Sequence, residues 1–292
     1  MGRLGNQLFQ YAFLRTTARR LGVTFYCPRW IGDDVYELGD ASERSPGPQG
    51  IRHEFVEQRE LRCLTSPVVR DGTNVTGYFQ APFLFDRDEV RRWFSLRPAI
   101  ETAVTEQHRD IDFTRAIGLH LRLGDYIAKP ATYLRHYVPT RRYYAAALSR
   151  MPSDAPIVVS SDEPQKALAH LGPLVGSRVI VLRGNRDYED LFLLSGCRHL
   201  ICSPSTFSWW AAWLRPAGAE GIVCVPREGL FRPAYRVPSE PEVLWHQPDW
   251  TPFPAVAKWD VEYWRARYRV FAKHIRLALR GELAVDRLRQ SA

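Results

Sequence analysis

Between residues 116 and 225 the chain carries five short apolar runs, each bounded by polar or turn-forming residues. They are Ala116-Ile117-Gly118-Leu119-His120-Leu121, Ile157-Val158-Val159-Ser160, Arg178-Val179-Ile180-Val181-Leu182, His199-Leu200-Ile201-Cys202 and Gly221-Ile222-Val223-Cys224-Val225. Near-continuous apolar character over so few residues predicts strands buried on both faces. Stretches of helical character at 140–150, 164–171 and 188–197 separate most of them. Strands joined through helices pair in parallel, and a parallel sheet must be covered on both sides, so an α/β fold is expected. In such a sheet, ligands bind in the crevice beyond the carboxyl ends of the strands.

The 292 residues allow about two domains, and the change of pattern at Ala116 marks the boundary. The division expected is 1–115, 116–250 and a basic amphipathic helical tail at 251–292. In the first part, residues 8–21 read as a helix stopped by Gly22, and 23–27 as a short strand. Residues 40–49 form a surface loop, 75–85 hold a strand then a loop, and 86–94 form a helix capped by Asp86. Residues 100–111 are a further helix candidate, and no internal repeat is present. A glycine-bearing turn, Gly2-Arg3-Leu4-Gly5-Asn6-Gln7, leads directly into the first helix. Such a turn normally follows a strand, so either the first domain lacks that strand or the recorded start is too far downstream.

Composition narrows the function classes. No apolar run approaches the ~18 residues that cross a bilayer, and the polar opening is unlike a secretory leader, so a cytoplasmic protein is expected. The formal charge of +8 raises nucleic acid, anionic membrane or acidic substrate as partners. All but four of the 40 basic residues are arginine, the usage of a GC-rich genome, which discounts part of that charge. The aromatic residues fall in apolar helical patterns rather than between arginines, which disfavours nucleic acid. Five cysteines (Cys27, Cys63, Cys197, Cys202, Cys224) without a Cys-x-x-Cys pair argue against zinc or a disulfide framework, and Cys202 and Cys224 read as buried inert thiols. A phosphate-loop lysine motif, the full dinucleotide fingerprint and a Gly-x-Ser-x-Gly elbow are all absent. Asp110-Ile111-Asp112 has the spacing of a metal-binding Asp-x-Asp, but it precedes a strand instead of ending one and reads as a solvated turn.

Three places could carry chemistry. In His120-Leu121-Arg122-Leu123-Gly124-Asp125-Tyr126 a buried strand runs into polar residues. His120 and Arg122 share a face by strand alternation, and an arginine at a strand end is well placed for a diphosphate. The plain alternative is an Arg–Asp ion pair closing the strand with a satisfied core histidine. Second, Ser203-Pro204-Ser205-Thr206-Phe207-Ser208-Trp209-Trp210 places a capped helix start beside the same crevice, where free N–H groups attract phosphate. Its tryptophans, with Trp213, read as core packing. Third, Asp162 and Asp190 lie near a strand end and a helix start, where carboxylates hold a ribose or a guanine edge but also serve as ordinary caps.

Taken together, the segments resemble one family, the bacterial α-1,2-fucosyltransferases of glycosyltransferase family 11. Gly2 to Ala12 is similar to the family's Gly-Gly-Leu-Gly-Asn-Gln opening, and Gly77-Tyr78-Phe79-Gln80 to its middle aromatic block. His120 to Tyr126 resembles its His-x-Arg-Arg-x-Asp motif, and Asp190 to Leu214 its closing segment. Two residues depart: Leu123 stands where the family usually has a second arginine, and Arg3 where it often has glycine.

The resemblance implies a GT-B-like fold, two Rossmann-like domains facing across a cleft, with residues 1–115 on the acceptor side and 116–250 binding the donor. It implies GDP-β-L-fucose as donor, a β-galactoside glycan as acceptor, and inversion without a metal or other cofactor. Arg122 is the expected phosphate-binding catalytic residue, with Asp125 and His120 as base candidates. Asp162, Asp190, Ser205, Thr206, Phe207 and Ser208 are expected around the nucleotide, and Gly5, Asn6 and Gln7 on the fucose from the other domain. Peripheral contact with an inner membrane face through Arg276, Arg280, Arg287 and Arg289 of the tail is a further expectation. A fucosyltransferase of other linkage and a non-catalytic sugar-nucleotide-binding relative are the alternatives.

Overall fold

A computed structural model of the chain describes residues 2–40, 42–45, 47, 53–56, 68–128, 138–226, 250–253, 268 and 272. Its opening helix α1 (Leu4–Leu21) buries Leu8, Phe9, Ala12 and Phe13 along one side. It ends at Gly22, whose φ of 67° lets its N–H turn back to the carbonyls of Ala18 and Arg19. The helix starts four residues earlier than its apolar stripe, so Gly5, Asn6 and Gln7 form a helical turn rather than a loop. A short helix α2 (Gly32–Val35) follows, and β1 (His53–Val56) pairs in parallel with β2 (Thr73–Thr76) as a two-stranded sheet. The strand expected at 23–27 is reduced to a single bridge, Tyr26 to Glu43, because its partner lies in the proline- and glycine-bearing loop. Helix α3 (Arg87–Trp93) is capped as predicted: the Asp86 carboxylate accepts the Glu89 N–H at 2.8 Å. Helix α4 (Pro98–Gln107) opens on a proline, whose fixed φ suits the first turn.

The α/β expectation for the second half is met by a six-stranded, wholly parallel sheet. Its elements in chain order are β3 (Ile117–Leu121), α5 (Gly124–Ala128), α6 (Arg141–Leu148), β4 (Ile157–Ser161), α7 (Pro164–Leu171), β5 (Val179–Val181), α8 (Asp187–Gly196), β6 (His199–Ile201), α9 (Thr206–Trp213), β7 (Val223–Pro226) and β8 (Trp250–Phe253). Across the sheet the order is β5-β4-β3-β6-β7-β8. Numbered from the first strand of this sheet, that order is 3-2-1-4-5-6, the doubly wound arrangement of dinucleotide-binding domains. The winding reverses between β3 and β6, and the crevice of such a sheet opens there, beyond their carboxyl ends. Strand β8 was not evident from sequence: Trp-Thr-Pro-Phe lacks alternation, and its proline is tolerated at a sheet edge.

The two faces of the sheet bury separate apolar clusters. One gathers Leu119, Leu121, Tyr143, Tyr144, Val159 and Leu171. The other joins both halves of the chain, packing Leu8, Phe9 and Phe13 of α1 with Leu194, Trp209, Trp210 and Trp213. The tryptophans are core, as their helical spacing predicts: Phe9 lies 4.7 Å from the ring centres of both Trp209 and Trp210. Cys197, Cys202 and Cys224 are free and buried, and burial pushes the Cys197 and Cys224 thiols up to about 12, so they are inert as nucleophiles. Cys63 lies outside the described residues, as do Arg276, Arg280, Arg287, Arg289 and nearly all of the expected tail. Among the described residues no helix is long and apolar enough to cross a membrane.

The first turn of α1 meets the first turn of α9 directly. Trp210 Nε1 donates to the Gly5 carbonyl at 2.8 Å, and a Cβ on Gly5 would lie 2.7 Å from Thr206 Oγ1 and 2.8 Å from the Phe207 nitrogen. Gly5→Ala should therefore destabilise the protein by about 1–3 kcal/mol, the usual cost of overpacking. Gly196→Ala, with nothing within 4 Å of the added carbon, should be neutral or slightly stabilising. Thermal unfolding followed by circular dichroism checks the contrast, and equal midpoints would refute it.

Candidate active site

Where β3 ends, Arg122 turns into the crevice between two carboxylates. Its Nη1 lies 2.9 Å from Asp162 Oδ2 and its Nη2 donates to Asp125 Oδ1 at 2.6 Å. The side chains of Arg122 and Asp162 are 14% and 18% exposed, while Asp125 is more open at 37%. Asp162 does double duty: its Oδ1 accepts the N–H groups of Leu123 (2.9 Å) and Gly124 (3.2 Å), fixing the turn into α5. A Cβ on Gly124 would lie 2.5 Å from Asp162 Oδ2, so a side chain there would displace that carboxylate. The Arg–Asp closure of the strand foreseen as the plain alternative is thus present, and the guanidinium still sits at the switch point with a partly open partner. Tyr126 bridges to the loop after β6, donating its hydroxyl to the Pro204 carbonyl at 3.3 Å. Burial raises its phenol and the nearby Arg122 opposes the rise.

One strand residue back, His120 is 5% exposed and faces the serines that follow β6. Its Nδ1 lies 2.6 Å from Ser208 Oγ and 2.9 Å from Ser203 Oγ. Ser208 Oγ already accepts from the Ser203 N–H (3.1 Å) and the Ser205 hydroxyl (3.4 Å). The Ser208 proton is therefore donated to Nδ1, which assigns the ring proton to Nε2. Burial pushes the imidazole down to about 3, with Asp162 opposing that shift and Arg122 adding to it. A buried neutral ring whose Nδ1 lone pair is already used makes a poor base. It holds the start of α9 in place, and Asp125 remains as the base candidate at the open edge.

The other expected residues divide in the same way. Ser205 caps α9, accepting the Ser208 N–H at 3.1 Å, and both serines are buried; Thr206 and Phe207 are the partly exposed residues of that turn. Ser205 and Ser208 thus build the helix start, and Thr206 and Phe207 present it. Asp190, in the first turn of α8, accepts the Ser160 hydroxyl at 2.6 Å and Asn185 Nδ2 at 2.9 Å. Burial raises its carboxyl, and those two hydrogen bonds counter the rise. It pins α8 to the end of β4, beside β3. Asp112 folds back on Thr114 as an exposed turn, and among the described residues no three His, Cys, Asp or Glu side chains cluster as a metal site.

The opening segment reaches this site from the other half of the chain. Gly5 lies on the first turn of α9. Asn6 Oδ1 accepts from Gln80 Nε2 at 2.9 Å, and Gln10 Nε2 donates to the Gly77 carbonyl at 2.8 Å. Gln7 Nε2 returns to the Gly2 carbonyl at 3.0 Å. Phe79 takes a positive φ of 49° and stacks on Phe13 with ring centres 3.9 Å apart. All four sequence blocks therefore interlock around one point. Arg3 also arrives here, its Nη1 3.7 Å from Asp162 Oδ2. The sequence marked Arg3 only as a departure from the family's opening, and nothing in it marked Arg3 and Asp162, or the two glutamine ties, as neighbours.

Residues 60–228 match the family described as glycosyl transferase family 11. The cattle protein named galactoside alpha-(1,2)-fucosyltransferase 2 is 28% identical over 242 residues, covering 76% of this chain and 69% of its own length. The Escherichia coli O-antigen biosynthesis glycosyltransferase WbnK is 28% identical over 192 residues, covering 62% of this chain and 61% of its own. Among solved structures, the fucosyltransferase POFUT1 in complex with GDP-fucose aligns at 14% identity and a TM-score of 0.49, covering 76% of this chain and 95% of that one. NodZ alpha-1,6-fucosyltransferase soaked with GDP-fucose aligns at 18% identity and a TM-score of 0.45, covering 73% and 89%.

The buried imidazole carries a pH signature. In the unfolded chain it takes up a proton near its ordinary value of 6.5, while in the folded protein it stays neutral down to about 3. Protonation then favours the unfolded chain, so this contribution is complete above 6.5 and is lost as pH falls from there toward 3. The melting temperature should drop across that range, and His120→Asn should flatten the drop. Equal slopes in the two proteins would show that this ring does not set the acid limit.

Proposed function

Because the chain belongs to glycosyl transferase family 11, we propose that it moves L-fucose from GDP-β-L-fucose to the 2-hydroxyl of a β-galactoside, inverting the anomeric carbon without a metal. The observation that carries this reading is the setting of Arg122: a guanidinium at the switch point of the sheet, one residue beyond the end of β3 and across from the start of α9. As fucose departs, negative charge grows on the diphosphate, and fixed positive charge at that place lowers the barrier. Arg122 supplies a whole charge. The first turn of α9, presented by Thr206 and Phe207, adds the partial charge of a helix N-terminus.

The ion pairs give an order of events. Asp162 is held by two backbone N–H groups as well as by Arg122, so it stays. Asp125 has a single partner shown at its Oδ1 and is the more exposed of the two. The incoming phosphate replaces it on Nη2, and the released carboxylate takes the proton of the acceptor hydroxyl as the new bond forms. Asp190 and Asp162 line the nucleotide side, and Gly5, Asn6 and Gln7 the side from which the sugar is covered. Synthesis of a surface glycan of the O-antigen type is the setting that the WbnK match supports.

Incubation with GDP-fucose and lactose should give a product whose nuclear magnetic resonance spectrum shows an α-1,2 linkage, with activity unchanged in EDTA. Arg122→Ala should lower turnover by about 100- to 1,000-fold, the usual consequence of removing one donor aimed at the transition-state charge. A different linkage, loss of activity on chelation, or an active alanine variant would each overturn its part of the proposal.

A further inference from the structure

Two guanidiniums, those of Arg122 and Arg3, approach one carboxylate oxygen, Asp162 Oδ2. Leu123 follows Arg122 directly, yet it is 1% exposed and belongs to the apolar cluster with Leu121 and Tyr143. No charge can be placed at that position without burying it. Arg3 comes from the far side of the crevice, and its Nη1 lies 3.7 Å from Asp162 Oδ2, the same oxygen that Arg122 Nη1 approaches at 2.9 Å.

Arg3 breaks a local rule. It is the residue before the first turn of α1, where the helix dipole disfavours a cation, and its side chain makes no capping hydrogen bond. The first turn of α1 holds no acidic residue that could offset it. The side chain is 61% exposed, and an ion pair that open and 3.7 Å long contributes little to stability. A residue that costs its own helix stability and gains little from its contact points to a role outside folding. Its surroundings indicate which role. Through Gly5, the first turns of α1 and α9 are pressed together, so two helix N-termini and two guanidiniums converge beside Asp125 and Asp162.

We propose that Arg3 is a second phosphate-binding residue of the donor site, reaching the diphosphate from the opening helix and supplying the charge that Leu123 cannot. The proposal rests on the fucosyl-transfer reading and adds to it a residue from the other half of the chain. Arg122 is anchored by its carboxylates, whereas Arg3 is loosely held and free to swing, so Arg3 closes on the phosphates after the nucleotide has entered. Its contribution falls on the β-phosphate, where the leaving charge develops.

Calorimetry with GDP and with GMP separates this role from a structural one. In Arg3→Ala the ratio of GDP to GMP affinity should fall about tenfold, the size of one charge-assisted hydrogen bond. Arg3→Lys, which keeps the charge but not the fork, should lie between wild type and alanine. The melting temperature of Arg3→Ala should not fall, since a cation is removed from a helix N-terminus. An unchanged ratio in Arg3→Ala, with GDP bound normally by the wild type, overturns this inference alone. Equal loss of GDP and GMP affinity overturns it as well, because that marks general damage. A wild-type protein with no affinity for GDP overturns the fucosyl-transfer reading and this inference together.

Discussion

The site depends on how closely the first turn of α1 can approach the first turn of α9. Two helix N-termini repel each other, and their side chains would ordinarily keep them a full helix diameter apart. The absence of a Cβ at Gly5 removes the steric limit, and the bond from Trp210 to the Gly5 carbonyl holds the contact closed. Phe9, inserted against Trp209 and Trp210, supplies the apolar burial that offsets the electrostatic cost. Once that contact is fixed, Asn6 can hold Gln80, Gln10 can hold the Gly77 carbonyl, and Arg3 comes within reach of Asp162. A single missing methyl group thus decides whether the two halves of the chain share a site.

Behind this contact lies a layer of buried polar groups. His120 Nδ1 and the hydroxyls of Ser203, Ser205 and Ser208 form one hydrogen-bonded set. Such a network is costly when incomplete and rigid when complete. It fixes the direction of the first turn of α9, and so aims the N–H groups of Thr206 and Phe207. Arg122 is held from the other side by two carboxylates, of which Asp162 is itself tied to backbone. The groups that face the crevice are few, and most of the polar residues around them serve to keep those few still.

Much of this could be read from the sequence, for identifiable reasons. Strands β3 to β7 of the parallel sheet were legible because burial on both faces writes itself as uninterrupted apolar runs. Asp86 and Ser205 were legible as caps because capping is local. Arg122 could be placed because it immediately follows a buried strand. The roles of His120 and Ser208 could not be assigned, since a serine that binds a ligand and one that holds a histidine have the same local pattern. The approach of Arg3 to Asp162 and the ties from Asn6 and Gln10 were invisible because they depend on contacts between residues 3–10 and residues 77, 80, 162 and 210. The strand expected at 23–27 failed for the opposite reason: its own propensity was adequate, and its partner was not.

The bond between Trp210 and Gly5 spans 205 positions of sequence. A chain leaves the ribosome from its amino end, so α1 emerges long before the helix it docks against exists. Until α9 has been synthesised, Leu8, Phe9 and Phe13 lack their main apolar cover, and a greasy helical face must wait uncovered or be held by a chaperone. Contacts of such long range also form slowly in an isolated domain. The catalytic crevice is therefore among the last parts of the molecule to assemble, and yield in a heterologous host will be governed by what protects the opening helix during that delay.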